Sequence, residues 1–144
     1  MSLNEKNPKE NIGIKKVPLS TIPANVLAEI GLAMFEGARK YGRHNYRIAG
    51  IRSSIYYDAV LRHLIAWWEN EDIDEDSGLN HITKALACLV ILRDAQLNNK
   101  ITDDRPPIIS DSNWIKNLNK KTEEITKKYP EIISPYTKEQ SLNT

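Results

Sequence analysis

Arg39, Lys40, Arg43, Arg47, Arg52 and Arg62, with His44 beside them, crowd one stretch that holds a single acid, Asp58. Glu69, Glu71, Asp72, Asp74, Glu75 and Asp76 follow, with no base until Lys84. Dense basic side chains bind phosphate oxygens, and arginine does so through two parallel hydrogen bonds. Carboxylates clustered at helix ends are hard ligands suited to Mg²⁺ or Mn²⁺. Both sets together suit a nucleoside triphosphate, whose phosphates a metal bridges and cations stabilise. The same charges also fit a plainer reading, a solvated acidic loop joining two helices and balanced by nearby arginines.

Single residues carry the same pair of readings. His63 and His81 are candidate chemical groups or core histidines holding helix ends. Asp58 and Arg62 share a helix face, and as a surface ion pair they contribute roughly 0.3–0.5 kcal/mol. Trp67 and Trp68 read as packing within an apolar helix. Tyr41, Tyr46, Tyr56 and Tyr57 flank the basic connector and are better placed to stack on a base. Cys88 lies in the most apolar helix and reads as inert core.

The elements that must position these groups are helical. Val26, Leu27, Ile30, Met34, Ala38 and Tyr41 recur at helical spacing, which predicts a first helix over 24–41 with Gly42 as its stop. Thr21 and Pro23 suit its start. Ser53 or Ser54 is expected to cap a second helix over 54–70, apolar enough to be buried on most sides. Ser77 is expected to cap a third, over 77–98, the central one. Ser112 is expected to cap a weaker helix over 113–128. No strand alternation is visible, so an all-α bundle follows, assembled as an oligomer. Residues 1–16 read as a flexible lead, 17–100 as the helical domain, and 101–144 as an extension ending in a loose tail.

Composition bounds the rest. The chain has 144 residues and a formal net charge of +1, which excludes a uniformly basic nucleic-acid coat. One cysteine excludes an internal disulfide and a cysteine-only zinc site. The longest apolar run, Ala85 to Leu92, is too short for a bilayer span. The first residues are polar, so no signal peptide is expected and the chain reads as cytoplasmic. Phosphate-loop, dinucleotide-fold, zincin and serine-elbow motifs are absent.

Two blocks carry a resemblance. E-G-A-R-K-Y-G-R-H-N-Y, Glu36 to Tyr46, is similar to the G-A-x-K-Y-G-x-x-N-W/Y signature of a phage protein family described as dATP/dGTP diphosphohydrolase-like. D-A-V-L-R-H-L-I-A-W-W-E-N-E-D-I-D-E-D-S-G-L-N-H, Asp58 to His81, resembles its second block. The family looks distantly like the all-α MazG-type pyrophosphohydrolases. The resemblance covers roughly 14–98 and implies an oligomeric nucleotide-handling protein in a phage-infected or lysogenic host. MazG-type enzymes cleave a nucleoside triphosphate to monophosphate and pyrophosphate, with Mg²⁺ held by E-x-x-E and E-x-x-D on two antiparallel helices. Here Glu71 and Asp74 have the second spacing but fall in a turn, and no E-x-x-E precedes them.

Read as an enzyme, the chain would place Mg²⁺ (or Mn²⁺) on Glu69, Glu71, Asp74 and Glu75, with Asp76 nearby. Arg39, Lys40, Arg43, His44, Asn45, Tyr46, Arg62 and Lys84 would bind the nucleotide. Glu71, Asp74 and His63 would be catalytic, orienting or deprotonating water. The alternative is a metal-free sponge that sequesters a nucleotide immune signal of cyclic or ADP-ribose type. A DNA-binding role ranks last, because the acidic turn repels a phosphate backbone.

Overall fold

The computed structural model describes residues 7–142. The chain divides into two compact units, one ending at Asp104 and one beginning at Arg105. In the first, α1 (Pro8–Gly13) is a short helix within the expected lead, capped by Asn7, whose side chain accepts the Lys9 N–H (3.0 Å). The remainder of that lead, residues 1–6, lies outside the described residues. A single 3-10 turn, Leu19–Thr21, precedes α2 (Ala24–Tyr41). Gly42 stops α2 at φ 95°, as the sequence pattern predicts, and its N–H closes on the Ala38 carbonyl (2.8 Å).

After α3 (Tyr46–Ala49), the chain forms a two-residue strand β1 (Ile51–Arg52), then α4 (Ser53–Trp68), α5 (His81–Leu97) and β2 (Ile101–Thr102). The strands pair in parallel, Ile51 with Ile101 and Arg52 with Thr102. This pairing ties the start of α4 to the end of α5, while the connector 69–80 joins their other ends, so the two helices form an antiparallel hairpin. α2 packs on α5, where Thr83 donates to Glu29 (3.1 Å) and Lys84 to Glu36 (2.9 Å).

Two expected caps are replaced. Neither Ser53 nor Ser54 caps α4 by its own side chain. Asp104, fifty residues on, accepts the Ser54 N–H (2.8 Å) and its hydroxyl. This long-range cap and the β1–β2 pair hold residues 101–104 to the first unit. The third helix begins at His81 rather than 77, and its cap is Asn80, whose side chain accepts the Ile82 N–H (2.8 Å). Ser77 is consumed in the turn before it. The two short strands are also additions to an all-helical expectation, since a two-residue pairing leaves no alternation to read.

The core of this unit is built from small residues. Ala33, Ile51, Val60, Ala85, Ala87 and Ala95 are buried, with polar Ser53, His81 and Thr83 among them. Among the described residues no large side chain is fully buried. The expectation that α4 is buried on most sides does not hold within one chain. Trp68 is 75% and Ile65 60% exposed, because α5 covers only one face of α4.

The second unit contains α6 (Trp114–Lys128) and α7 (Lys138–Leu142). Asn113, not Ser112, precedes α6. Asp111 accepts the Asn113 N–H (2.9 Å) and the Asn117 side-chain amide (3.1 Å). α7 forms within the stretch expected to be a loose tail. No described helix is long and apolar enough to cross a membrane.

Two glycines should respond oppositely to alanine. Gly50 sits at φ 73°, ψ 178°, and a Cβ there would meet the Lys100 carbonyl oxygen at 2.8 Å. Gly50→Ala is expected to cost about 2 kcal/mol in urea unfolding. Gly31 is helical with nothing within 4 Å of such a Cβ, so Gly31→Ala should gain about 1 kcal/mol.

Candidate functional site

The connector between α4 and α5 is an ordered turn built on Asp74. Its N–H donates to the Leu79 carbonyl (2.8 Å), and its own carbonyl accepts the Gly78 N–H (2.7 Å). Ser77 Oγ donates to Asp74 Oδ2 (2.7 Å) and accepts the Leu79 N–H (3.2 Å). Gly78 turns the chain at φ 73°. Burial raises the Asp74 pKa, but hydrogen bonds from Ser77 and the backbone outweigh it and hold the carboxyl below its ordinary value. The His81 N–H then donates to the Asp72 carbonyl (2.9 Å), so His81 enters α5 already fixed against the turn.

His81 faces His63 across the hairpin, with Nδ1 to Nδ1 at 2.8 Å and ring centroids 5.1 Å apart. Glu71 Oε1 lies 3.4 Å from His81 Nε2, an ion-pair distance without hydrogen-bond alignment. His63 is half-buried. Burial is the main cause that lowers its pKa; His81, Lys84 and Arg62 act in the same direction, and Asp74 opposes them.

α2 supplies the third side. Glu36 Oε1 accepts Lys84 Nζ (2.9 Å) and Lys40 Nζ (3.1 Å). Lys40 also lies 3.5 Å from Asp76, whose carboxylate is 84% exposed. Burial raises the Glu36 pKa, but the two lysines outweigh it and hold it below the usual carboxylate range. Two cations thus share one well-seated carboxylate, and phosphate oxygens can compete for both.

The structure divides the basic set predicted from sequence. Lys40, Lys84 and Arg62 lie with the histidine pair and the turn. Arg47 makes a bidentate pair with Asp94 (2.8 and 3.1 Å), which anchors α3 about 20 Å along α5 from His81. His44 and Asn45 lead into α3, which Tyr46 begins; His44 adopts φ 65°, and its ring meets Tyr46 edge-on at 6.5 Å. Arg39 and Arg43 are exposed and make no ion pair among the described residues. Asp58 and Arg62 do not pair either, although their spacing allows it.

The expected metal set is not assembled. Glu69 caps the end of α4, Glu75 is exposed, Asp74 is engaged by Ser77, and Glu71 faces His81. Among the described residues no three His, Cys, Asp or Glu side chains group as metal ligands. These residues do not fit a divalent ion held by the protein alone. Glu36, Glu29 and the contact role of His81 were missed from sequence. Only the Glu36–Lys40 spacing was readable, because the other partners sit on different helices.

A helical hairpin with a part-buried histidine pair, one lysine of its own and another from a crossing helix is the frame into which both sequence blocks fall. The family described as dATP/dGTP diphosphohydrolase, N-terminal, matches residues 6–105, and the chain belongs to it. Over 90 residues it is 32% identical to a protein of Salmonella phage PMBT28 named dATP/dGTP diphosphohydrolase. That match takes in 62% of this chain and 30% of the phage protein, so the chain spans less than a third of that relative's length. No solved structure matches.

The His63 shift sets a stability window. Its folded pKa lies below the ordinary value near 6.5, so the unfolded chain binds the proton first as pH falls. The stability it contributes is present above the unfolded value and is lost as pH drops through the lowered folded one. Denaturant midpoints from pH 7.5 to 5 should fall in the wild type and fall less in His63→Gln.

Proposed function

We propose that the chain binds a (deoxy)nucleoside triphosphate at the turn end of the hairpin and hydrolyses it to monophosphate and pyrophosphate. The observation that carries this reading is the placement of Lys84 and Lys40, sharing Glu36, beside a half-buried histidine of lowered pKa. Lys84, Lys40 and Arg62 hold phosphate oxygens, and His63 takes the proton of the attacking water. The family and the name of the phage relative support dATP or dGTP as the substrate class.

Any Mg²⁺ in the reaction would come with the substrate. Mg²⁺ keeps several waters and is commonly held by substrate phosphates with one or two carboxylates. At a site that lacks a three-ligand group of its own, the triphosphate would supply most of the ligands, and the metal would neutralise phosphate charge. The reading also includes self-association, because Tyr57, Ile65 and Trp68 on α4 present large apolar surfaces to solvent. It places the protein in the cytoplasm of a phage-infected or lysogenic bacterium.

A second reading has one observation in its favour. Carboxylates that do not group as metal ligands suit a binder that needs no metal, a sponge for a cyclic-nucleotide or ADP-ribose-type immune signal.

Incubation with dATP, dGTP and the ribonucleotides plus Mg²⁺ should release pyrophosphate. Lys84→Met should lower kcat/KM about 10- to 100-fold, the loss of one charge-assisted hydrogen bond. If no nucleotide is cleaved and tightly bound signal nucleotides are recovered intact after denaturation, the sponge reading replaces the enzyme. Light scattering should give a mass of at least two chains, and Trp68→Glu should shift it toward one.

A further inference from the structure

The contact between His63 and His81 has a chemical consequence for which ring nitrogen does the work. Their Nδ1 atoms are 2.8 Å apart. At that distance one Nδ1 must carry a hydrogen and the other a lone pair. Two hydrogens would collide, and two lone pairs would repel.

The surroundings of His81 decide which is which. His81 is 5% exposed, and its Nε2 is buried without a hydrogen bond. Glu71 Oε1 lies 3.4 Å from that atom. A lone pair at that distance from a carboxylate oxygen is repelled, whereas an N–H is attracted. With one hydrogen on its ring, His81 therefore carries it on Nε2, and its Nδ1 is the acceptor. His63 Nδ1 must then be the donor. A histidine that donates through one nitrogen presents the other as a lone pair, and for His63 that atom is Nε2.

We propose that His81 is a positioning residue: by accepting the Nδ1 hydrogen of His63, it fixes the tautomer in which His63 Nε2 is the base. This rests on the hydrolase reading above. In the step, the water oxygen bonds to the α-phosphorus and a water proton passes to His63 Nε2. The bond from the α-phosphorus to the oxygen bridging to the β-phosphorus breaks, and pyrophosphate leaves with that electron pair. The imidazolium that forms keeps its Nδ1 bond to His81. Asp74 from the turn favours its charge, while Lys84 on α5 and Arg62 on α4 oppose it. The bound triphosphate, which adds negative charge beside those two cations, offsets their opposition. His81 cannot itself be the base, because one nitrogen faces His63 and the other is sealed against Glu71.

The test uses the full chain labelled with nitrogen-15 histidine, read by long-range proton–nitrogen NMR at neutral pH, with pyrophosphate release measured in parallel. The wild type should show hydrogen on Nδ1 of His63 and on Nε2 of His81. Hydrogen on Nε2 of His63 would overturn the positioning role even with turnover intact. His81→Asn offers an amide oxygen as acceptor and should retain the His63 tautomer and most of kcat. His81→Phe offers none; it should move His63 to the Nε2–H form and lower kcat about 100-fold or more with KM little changed. Equal loss of kcat in both variants, with the tautomer kept in His81→Asn, sinks the proposal. If a variant does not fold, the wild-type spectrum still decides the tautomer. Absence of turnover in the wild type removes the hydrolase reading and the base role together, and leaves the tautomer assignment standing or falling on the spectrum.

Discussion

Contact between α4 and α5 is the constraint on which the candidate site depends. Ala85 and Ala95 are buried on the side of α5 that carries His81, the side that meets α4. Ala87 shares the other side with Thr83, which meets Glu29 of α2. Across the first of these contacts His63 and His81 meet through single nitrogen atoms. The turn end is held by hydrogen bonds to Asp74 and Asp72. The other end is held by β1, β2 and the cap that Asp104 places on α4. With both ends of the hairpin tied, a part-buried polar contact can persist between them, since without it His81 would have neither ring nitrogen hydrogen-bonded.

Charge is organised by the same frame. A net charge of +1 conceals two kinds of pairing. Arg47 with Asp94 and Arg52 with Asp104 (3.8 Å) are structural contacts around the tied end of the hairpin. Lys84 and Lys40 share Glu36 at the turn end, where pairing is incomplete and a phosphate has something to gain. The pairs at the tied end are partly exposed and contribute little stability. Their effect is to direct α3 and the connector, and so to separate the basic residues that neighbour one another in sequence.

The small-residue core has a cost. Alanines bury little area, and the large apolar side chains of α2 and α4 are left outward, among them Phe35, Tyr41 and Trp68. A hydrophobic set of 40% of the chain is ample for one domain, yet within a single chain it is spent on surfaces rather than on a deep interior. That imbalance is what the proposed self-association would relieve.

Helix identity was legible in the sequence, because periodicity and stop residues act locally. The first helix runs from Ala24 to Tyr41 and stops at Gly42, as its pattern predicts, and the family is carried by two contiguous blocks. Boundaries failed where the deciding partner is distant. Nothing near Ser54 announces that Asp104 will take its N–H, and Ser77 resembles a cap until Asp74 claims it. The site divides the same way. The sequence by itself determined which charged and imidazole groups exist and on which helices they ride, since composition and helical period need no tertiary contact. Only the tertiary structure decided that Glu36 serves two lysines, that Arg47 leaves the basic cluster for Asp94, and that His63 meets His81. Each of those contacts joins groups far apart in the chain, and only the packing of separate helices sets the distance between them.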